Sequence, residues 1–177
     1  NNLSALINRY RKPLVIKNLY FSNRIRLTRS LFPDTRYILV KRDPLYVAQS
    51  IYLSRTENTR DPVHEWWSVK IPGYESILGR PLEEQVVHQV CGIQRIINED
   101  IAMIDPGNIL EVSYEQMDRN FLEGPLRSFL GTPYRSGIDP AKLPFRTGNT
   151  QKLDNVIFER LQRELNRCSD IDQKVRG

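Results

Sequence analysis

Only two of the 177 residues are cysteine and two are histidine. Cys91 sits in an apolar periodic segment and Cys168 in a polar tail, far apart in the chain. Neither has neighbours at metal-ligand spacing, and so few cysteines in a chain of this size argue against a disulfide scaffold. A reducing compartment is therefore expected. Long apolar runs are missing as well. No stretch reaches the roughly 18 residues of a transmembrane helix, and no signal-peptide pattern is visible. Internal repeats, low-complexity tracts and linkers are also lacking. The basic residues form no block, which excludes a polybasic nucleic-acid arm. A cytoplasmic location is the expectation, although the chain opens on Asn1-Asn2 rather than Met, so an upstream targeting or anchor segment stays compatible with it.

What is present is a basic globular chain. A net charge of +5 and a pI near 9.3 point to an anionic partner: nucleic acid, a membrane surface, or a phosphorylated or sulfated small molecule. Forty per cent hydrophobic and 27% charged residues is a soluble globular profile, and the length suits one domain with a sizeable core. Arg and Lys are densest between Arg9 and Arg42. They follow strand ends and helix starts rather than a stripe, which ranks nucleic acid last among the partners.

The pattern along the chain alternates. Leu3, Leu6, Ile7 and Tyr10 keep helical spacing up to Pro13, and "LVIK" (14–17) reads as a short buried strand. "SNRIRLTRSLFPD" reads as a helix burying Ile25, Leu27 and Leu31, followed by the strand "RYILVK" and a helix from about Pro44 to Arg55. Continuous apolar strands between helices predict an α/β fold with a mostly parallel sheet covered on both faces. From Thr56 to Pro81 the periodicity breaks, leaving one short helical piece around His64 to Val69. Connections this long in compact domains tend to be functional or mobile. A helix follows from Leu82 to Ile104, with Val86, Val90, Ile93, Ile97, Ile101 and Ile104 on one face. The strand "NILEVSYE" then delivers Tyr114 and Glu115 to its carboxyl end. "FLEGPLRSFLG" predicts a helix ended by Gly131. A second long loop precedes the terminal amphipathic helix "NVIFERLQREL".

Ligands of open α/β sheets sit beyond the carboxyl ends of strands, where Lys17, Arg42 and Tyr114 fall. In "KRDPLYVAQS", Asp43 is a natural N-cap and Pro44 a natural first helical residue. Arg42 is not explained by capping, because a cation at a helix N-terminus meets positive charge already concentrated there. An anion bound by its fork and by helix-end N–H groups resolves the placement, and Ser50 adds a hydroxyl eight residues on. A salt bridge from Arg42 to a neighbouring acid is the competing explanation.

"LVIKN…LFPDTRYILVKRDPLYVAQSIY…ILEVSYEQM" resembles the PAPS-dependent sulfotransferases in residue types, order and spacing, over about Leu14 to Leu130. The resemblance implies a P-loop NTPase-like, three-layer fold over a single domain, residues 1–177. It also implies PAPS (3′-phosphoadenosine 5′-phosphosulfate) as donor co-substrate, a hydroxyl- or amine-bearing acceptor and no metal. By it, Arg42 and Ser50 bind the 3′-phosphate, Tyr114 lies near the adenine and Lys17 approaches the sulfuryl group. Arg146, in "FRTGNT", resembles the late Arg-Gly loop that closes over the 3′-phosphate. Sulfuryl transfer, like phosphoryl transfer, asks the protein mainly to position the reactants and to stabilise charge on the leaving phosphate.

Two departures stand out. No Gly/Ser/Thr-rich loop for the 5′-phosphosulfate precedes Leu14, so the domain is expected to be N-terminally incomplete. Leu19 occupies the position where many members carry a histidine base. His64 and Glu65, in the long loop, are the candidate replacements; a surface or capping role is the alternative for His64. Trp66-Trp67 reads either as a stacking platform for an acceptor or as an anchor of the loop to the core. Two other functions fit the same residues: a non-catalytic anion-binding domain that retains the fold, and a P-loop kinase-like enzyme lacking its phosphate loop.

Overall fold

The computed structural model describes Ala5, residues 8–10, 14–131 and 148–176, with side chains described as far as Cys168. Arg146 and most of the second long loop lie outside the described residues. So does most of the opening segment, although Ala5 and residues 8–10 are helical, as the spacing predicts.

The described residues are helix-rich around a small parallel sheet. A 3-10 turn (Leu19–Asn23) leads into α1 (Ile25–Leu31), then β1 (Tyr37–Lys41), α2 (Pro44–Asn58) and α3 (Leu82–Ile101). β2 (Ile109–Ser113) follows, then α4 (Arg119–Phe121), a π-helical stretch at Leu122–Leu126, α5 (Arg127–Leu130) and α6 (Asn155–Arg176). Pro125 explains the π-helical stretch, since it has no N–H to give the regular ladder. Gly131 closes α5 with φ +63°, a left-handed conformation that costs glycine little.

β1 and β2 pair in parallel with Tyr37 opposite Ile109 and Lys41 opposite Ser113. Lys41 Nζ reaches diagonally across the pair to Glu111 Oε2 at 2.5 Å. The hydrophobic core sits among helices: Leu45 and Ala48 of α2 meet Leu82, Val86, Val87 and Val90 of α3 and Leu161 and Leu165 of α6.

Several expectations are corrected. Leu14–Lys17 forms no strand among the described residues; it has no ladder partner and remains exposed. The strands are not buried on both faces, as Ile38 and Val40 are 38% and 45% exposed. In α1 only Ile25 is buried, while Leu27 and Leu31 face solvent. This seven-residue helix docks instead through arginines: Arg26 Nε bonds Asp100 at 2.5 Å, and Arg29 donates to the Met103 carbonyl. The two cysteines, expected to be unpaired, form a disulfide between α3 and α6, with Cα atoms 6.9 Å apart.

The helical piece expected at His64 to Val69 is also absent, for a visible reason. The carbonyls of Val63, Glu65, Trp67 and Val69 accept hydrogen bonds from buried side chains of α2 and α3. Arg55 Nε donates to Glu65 O at 2.8 Å, Gln85 Nε2 to Val63 O at 2.9 Å, and Gln89 Nε2 to Trp67 O and Val69 O at 3.0 and 2.8 Å. A carbonyl engaged sideways in this fashion is unavailable to a helical ladder. Ser68, at φ +69°, turns the chain within this stretch.

Candidate functional site

The parallel register builds the corner. Because Lys41 stands opposite Ser113, the next residues, Arg42 and Tyr114, emerge side by side at the carboxyl ends of the two strands. The Arg42 guanidinium lies over the Tyr114 ring, 4.8 Å from its centroid, a cation–π contact. Asp43 caps α2 as the sequence predicts, its Oδ1 accepting from Leu45 N at 2.9 Å, with Pro44 as the first helical residue.

The partners of Arg42 come from elsewhere in the chain. Its Nη2 donates to Gly148 O at 2.7 Å and its Nε to Asn149 Oδ1 at 3.0 Å. Asn149 Nδ2 in turn donates to Glu115 Oε1. Among the described residues no carboxylate pairs with Arg42. Both of these partners are neutral, a side-chain amide and a backbone carbonyl. Nε and Nη2 are engaged on one edge and Tyr114 lies on one face, so among the described residues the Nη1 end of the fork has no hydrogen-bond partner.

Gln49 fixes the segment that follows. It is 3% exposed; its Nε2 donates to Thr150 O at 2.9 Å, and its Oε1 accepts from Lys152 N at 2.6 Å and Leu153 N at 3.2 Å. Neither Gln49 nor Asn149 was singled out by sequence reasoning. The signal for Gln49 was an amide on the core-facing side of α2, next to Ala48, which is fully buried.

Ser50 is exposed on α2, two turns beyond Arg42. Lys17 is exposed in the segment before Asn18, whose side chain caps the 3-10 turn by accepting from Tyr20 N. His64 and Glu65 are not gathered with Arg42. They follow the far end of α2, a helix of 15 residues and therefore about 22 Å long. His64 Nδ1 lies 2.8 Å from Asp61 Oδ2, and Asp61 Oδ1 accepts from Val63 N and His64 N. The hydrogen bond from His64 holds the Asp61 carboxyl below its ordinary 3.8. The Glu65 carboxylate accepts from Arg60 N at 3.3 Å. Trp66 anchors the loop: its Nε1 donates to Val69 O, and its ring packs on Tyr74 and under the Arg55 guanidinium.

A groove of about 800 Å³ opens between the 3-10 turn, the loop and α3. Asn23, Leu27, Lys70, Ile71, Tyr74 and Ile96 are among its lining residues. Asn23 Nδ2 ties its two walls by donating to Lys70 O at 2.9 Å, and the Tyr74 hydroxyl holds the Lys70 ammonium above its ordinary 10.5. Among the described residues no helix is long and apolar enough to cross a membrane, and no cluster of three His, Cys, Asp or Glu is arranged to hold a metal.

The profile of the sulfotransferase family matches residues 3–127. Two curated proteins are similar at 26% identity over 109 residues: the omega-hydroxy-beta-dihydromenaquinone-9 sulfotransferases Stf3 of Mycobacterium bovis and of Mycobacterium tuberculosis. The match takes in 62% of this chain but 26% of each relative, so the chain spans only a part of the proteins it resembles. No solved structure matches it significantly.

Proposed function

This chain belongs to the sulfotransferase family, and from that premise we propose that it serves in moving a sulfuryl group from PAPS to a hydroxyl or amine acceptor. The observation that carries the reading is Arg42: a guanidinium at a strand end, set over Tyr114, whose hydrogen-bond partners among the described residues are all neutral and leave the Nη1 end of its fork without a partner there. A charge kept unpaired in this way suits a phosphate, which accepts two parallel N–H bonds from such a fork.

In this reading the sheet belongs to a three-layer, P-loop NTPase-like fold. Arg42 and Ser50 hold the 3′-phosphate, Tyr114 lies near the adenine, Arg146 closes over the phosphate and Lys17 stabilises charge near the sulfuryl group. The acceptor oxygen attacks sulfur in line as the bond from sulfur to the bridging phosphate oxygen breaks, and the acceptor's proton goes to a base. His64 and Glu65 remain the candidate bases. Asp61 favours the His64 tautomer with hydrogen on Nδ1, leaving Nε2 as the atom that takes a proton. The relatives' name specifies an omega-hydroxy acceptor, so a hydroxyl is the first acceptor to test. The groove beside Asn23 would take its body, with Leu27, Ile71 and Ile96 as apolar contacts.

Titration calorimetry with adenosine 3′,5′-bisphosphate tests the donor half. Binding is expected, and Arg42→Ala should weaken it at least about tenfold, the scale of a lost charge-assisted hydrogen bond. Absence of binding to the full polypeptide would overturn the proposal. Binding without transfer of labelled sulfate to any alcohol would favour a non-catalytic anion-binding domain.

A further inference from the structure

The Arg42 corner holds a carboxylate that does not reach the arginine. Glu115 follows Tyr114, on whose ring Arg42 rests, so an acid and a guanidinium stand at the carboxyl ends of two paired strands. Between them lies one carboxamide: Asn149 accepts from Arg42 Nε through Oδ1 and donates to Glu115 through Nδ2. Its orientation is dictated by its neighbours, since a guanidinium only donates and a carboxylate only accepts.

The geometry points to Asn149 as a positioning residue that keeps Glu115 off Arg42 and so preserves the arginine's charge for an anionic ligand. The inference rests on the proposed 3′-phosphate reading and deepens it. A direct pair between Arg42 and Glu115 would cancel the charge that recruits a phosphate, and the ligand would have to break it. An amide in that place satisfies both groups and neutralises neither. Its location is set independently by Gln49, which binds Thr150, Lys152 and Leu153 and so fixes the chain immediately after Asn149.

The test compares the affinities of adenosine 3′,5′-bisphosphate and adenosine 5′-monophosphate by calorimetry, with thermal unfolding as a check on folding. For Asn149→Ala, the preference for the bisphosphate should fall about tenfold while affinity for the monophosphate stays unchanged, as expected if only the 3′-phosphate contact is lost. Adding Glu115→Gln to Asn149→Ala should restore the preference, because the competing carboxylate is gone. Asn149→Asp should lose the preference and not regain it with Glu115→Gln, since the new carboxylate itself pairs with Arg42. An undiminished preference in Asn149→Ala, or a double variant as weak as the single one, would overturn the inference. A wild-type protein that binds both nucleotides equally would instead remove the 3′-phosphate reading beneath it.

Discussion

Gln49 and Lys152 stand 103 residues apart in the chain, and the backbone N–H of Lys152 donates to Gln49 Oε1 at 2.6 Å. With its bonds to Thr150 and Leu153, this amide joins α2, which begins just after Arg42, to the segment that supplies Arg42's partners.

Gln49→Leu keeps the side chain's approximate size but removes all three hydrogen bonds and leaves main-chain groups without partners. The expected loss is about 2–3 kcal/mol of unfolding free energy. Under the proposed donor reading, affinity for adenosine 3′,5′-bisphosphate should fall as well, because Gly148 and Asn149 lose their fixed position. Urea denaturation and calorimetry read the two effects. A fully stable variant would show that the segment is held by other contacts.

Arg55 is fully buried; among the described residues it has no acidic partner, and it spends its charge on Glu65 O, Gln85 Oε1 and the Trp66 ring, with Nη1 unpartnered there. Burial lowers its pKa. Arg55→Ala removes one buried and one partly buried hydrogen bond and much packing, and should cost about 3 kcal/mol or more. Limited proteolysis should then cut between Thr59 and Pro81 faster than in the parent. Unchanged cleavage would mean that Gln85 and Gln89 hold the loop alone.

The Asp61 carboxyl titrates lower in the folded chain than the ordinary 3.8, through its hydrogen bond with His64. Its contribution to stability is therefore complete above the unfolded value and is lost as pH falls through the lower folded one. Both groups are exposed, so the effect should be small and weakened by salt. Comparing Asp61→Asn with the parent in urea at about pH 6 and pH 3 checks this. The gap between the two proteins should be larger at the higher pH and narrow at the lower; a constant gap would contradict it.

The Cys91–Cys168 bond closes a loop over a sequence separation of 77 residues. By the chain-entropy relation its reduction should cost roughly 4.5 kcal/mol at most. Thermal unfolding with and without a thiol reductant should show a lower midpoint when reduced. Identical midpoints, together with two titratable thiols in the untreated protein, would show that the bond does not form in solution.

Much of the corner was legible because it is local. "RDP" carries its own capping chemistry, and the apolar runs "YILV" and "ILEV" locate strands whose ends must be adjacent if the sheet is parallel. The partners of Arg42 were not legible, as they lie 106 and 107 residues away in a stretch with no periodicity. Leu27 and Leu31 misled because apolar spacing was read as burial, whereas arginines dock that helix. The helical piece at His64 to Val69 failed because side chains from two other helices compete for its carbonyls. No local propensity reports such competition.

The grip on that loop has a consequence for how the protein can change. Arg55, Gln85 and Gln89 hold Val63, Glu65, Trp67 and Val69 by their main-chain oxygens, which every residue type offers. These four grips therefore do not depend on which side chains stand at 63, 65, 67 and 69. Mutation can thus remodel what the loop presents while these main-chain bonds stay the same, a separation of shape from chemistry.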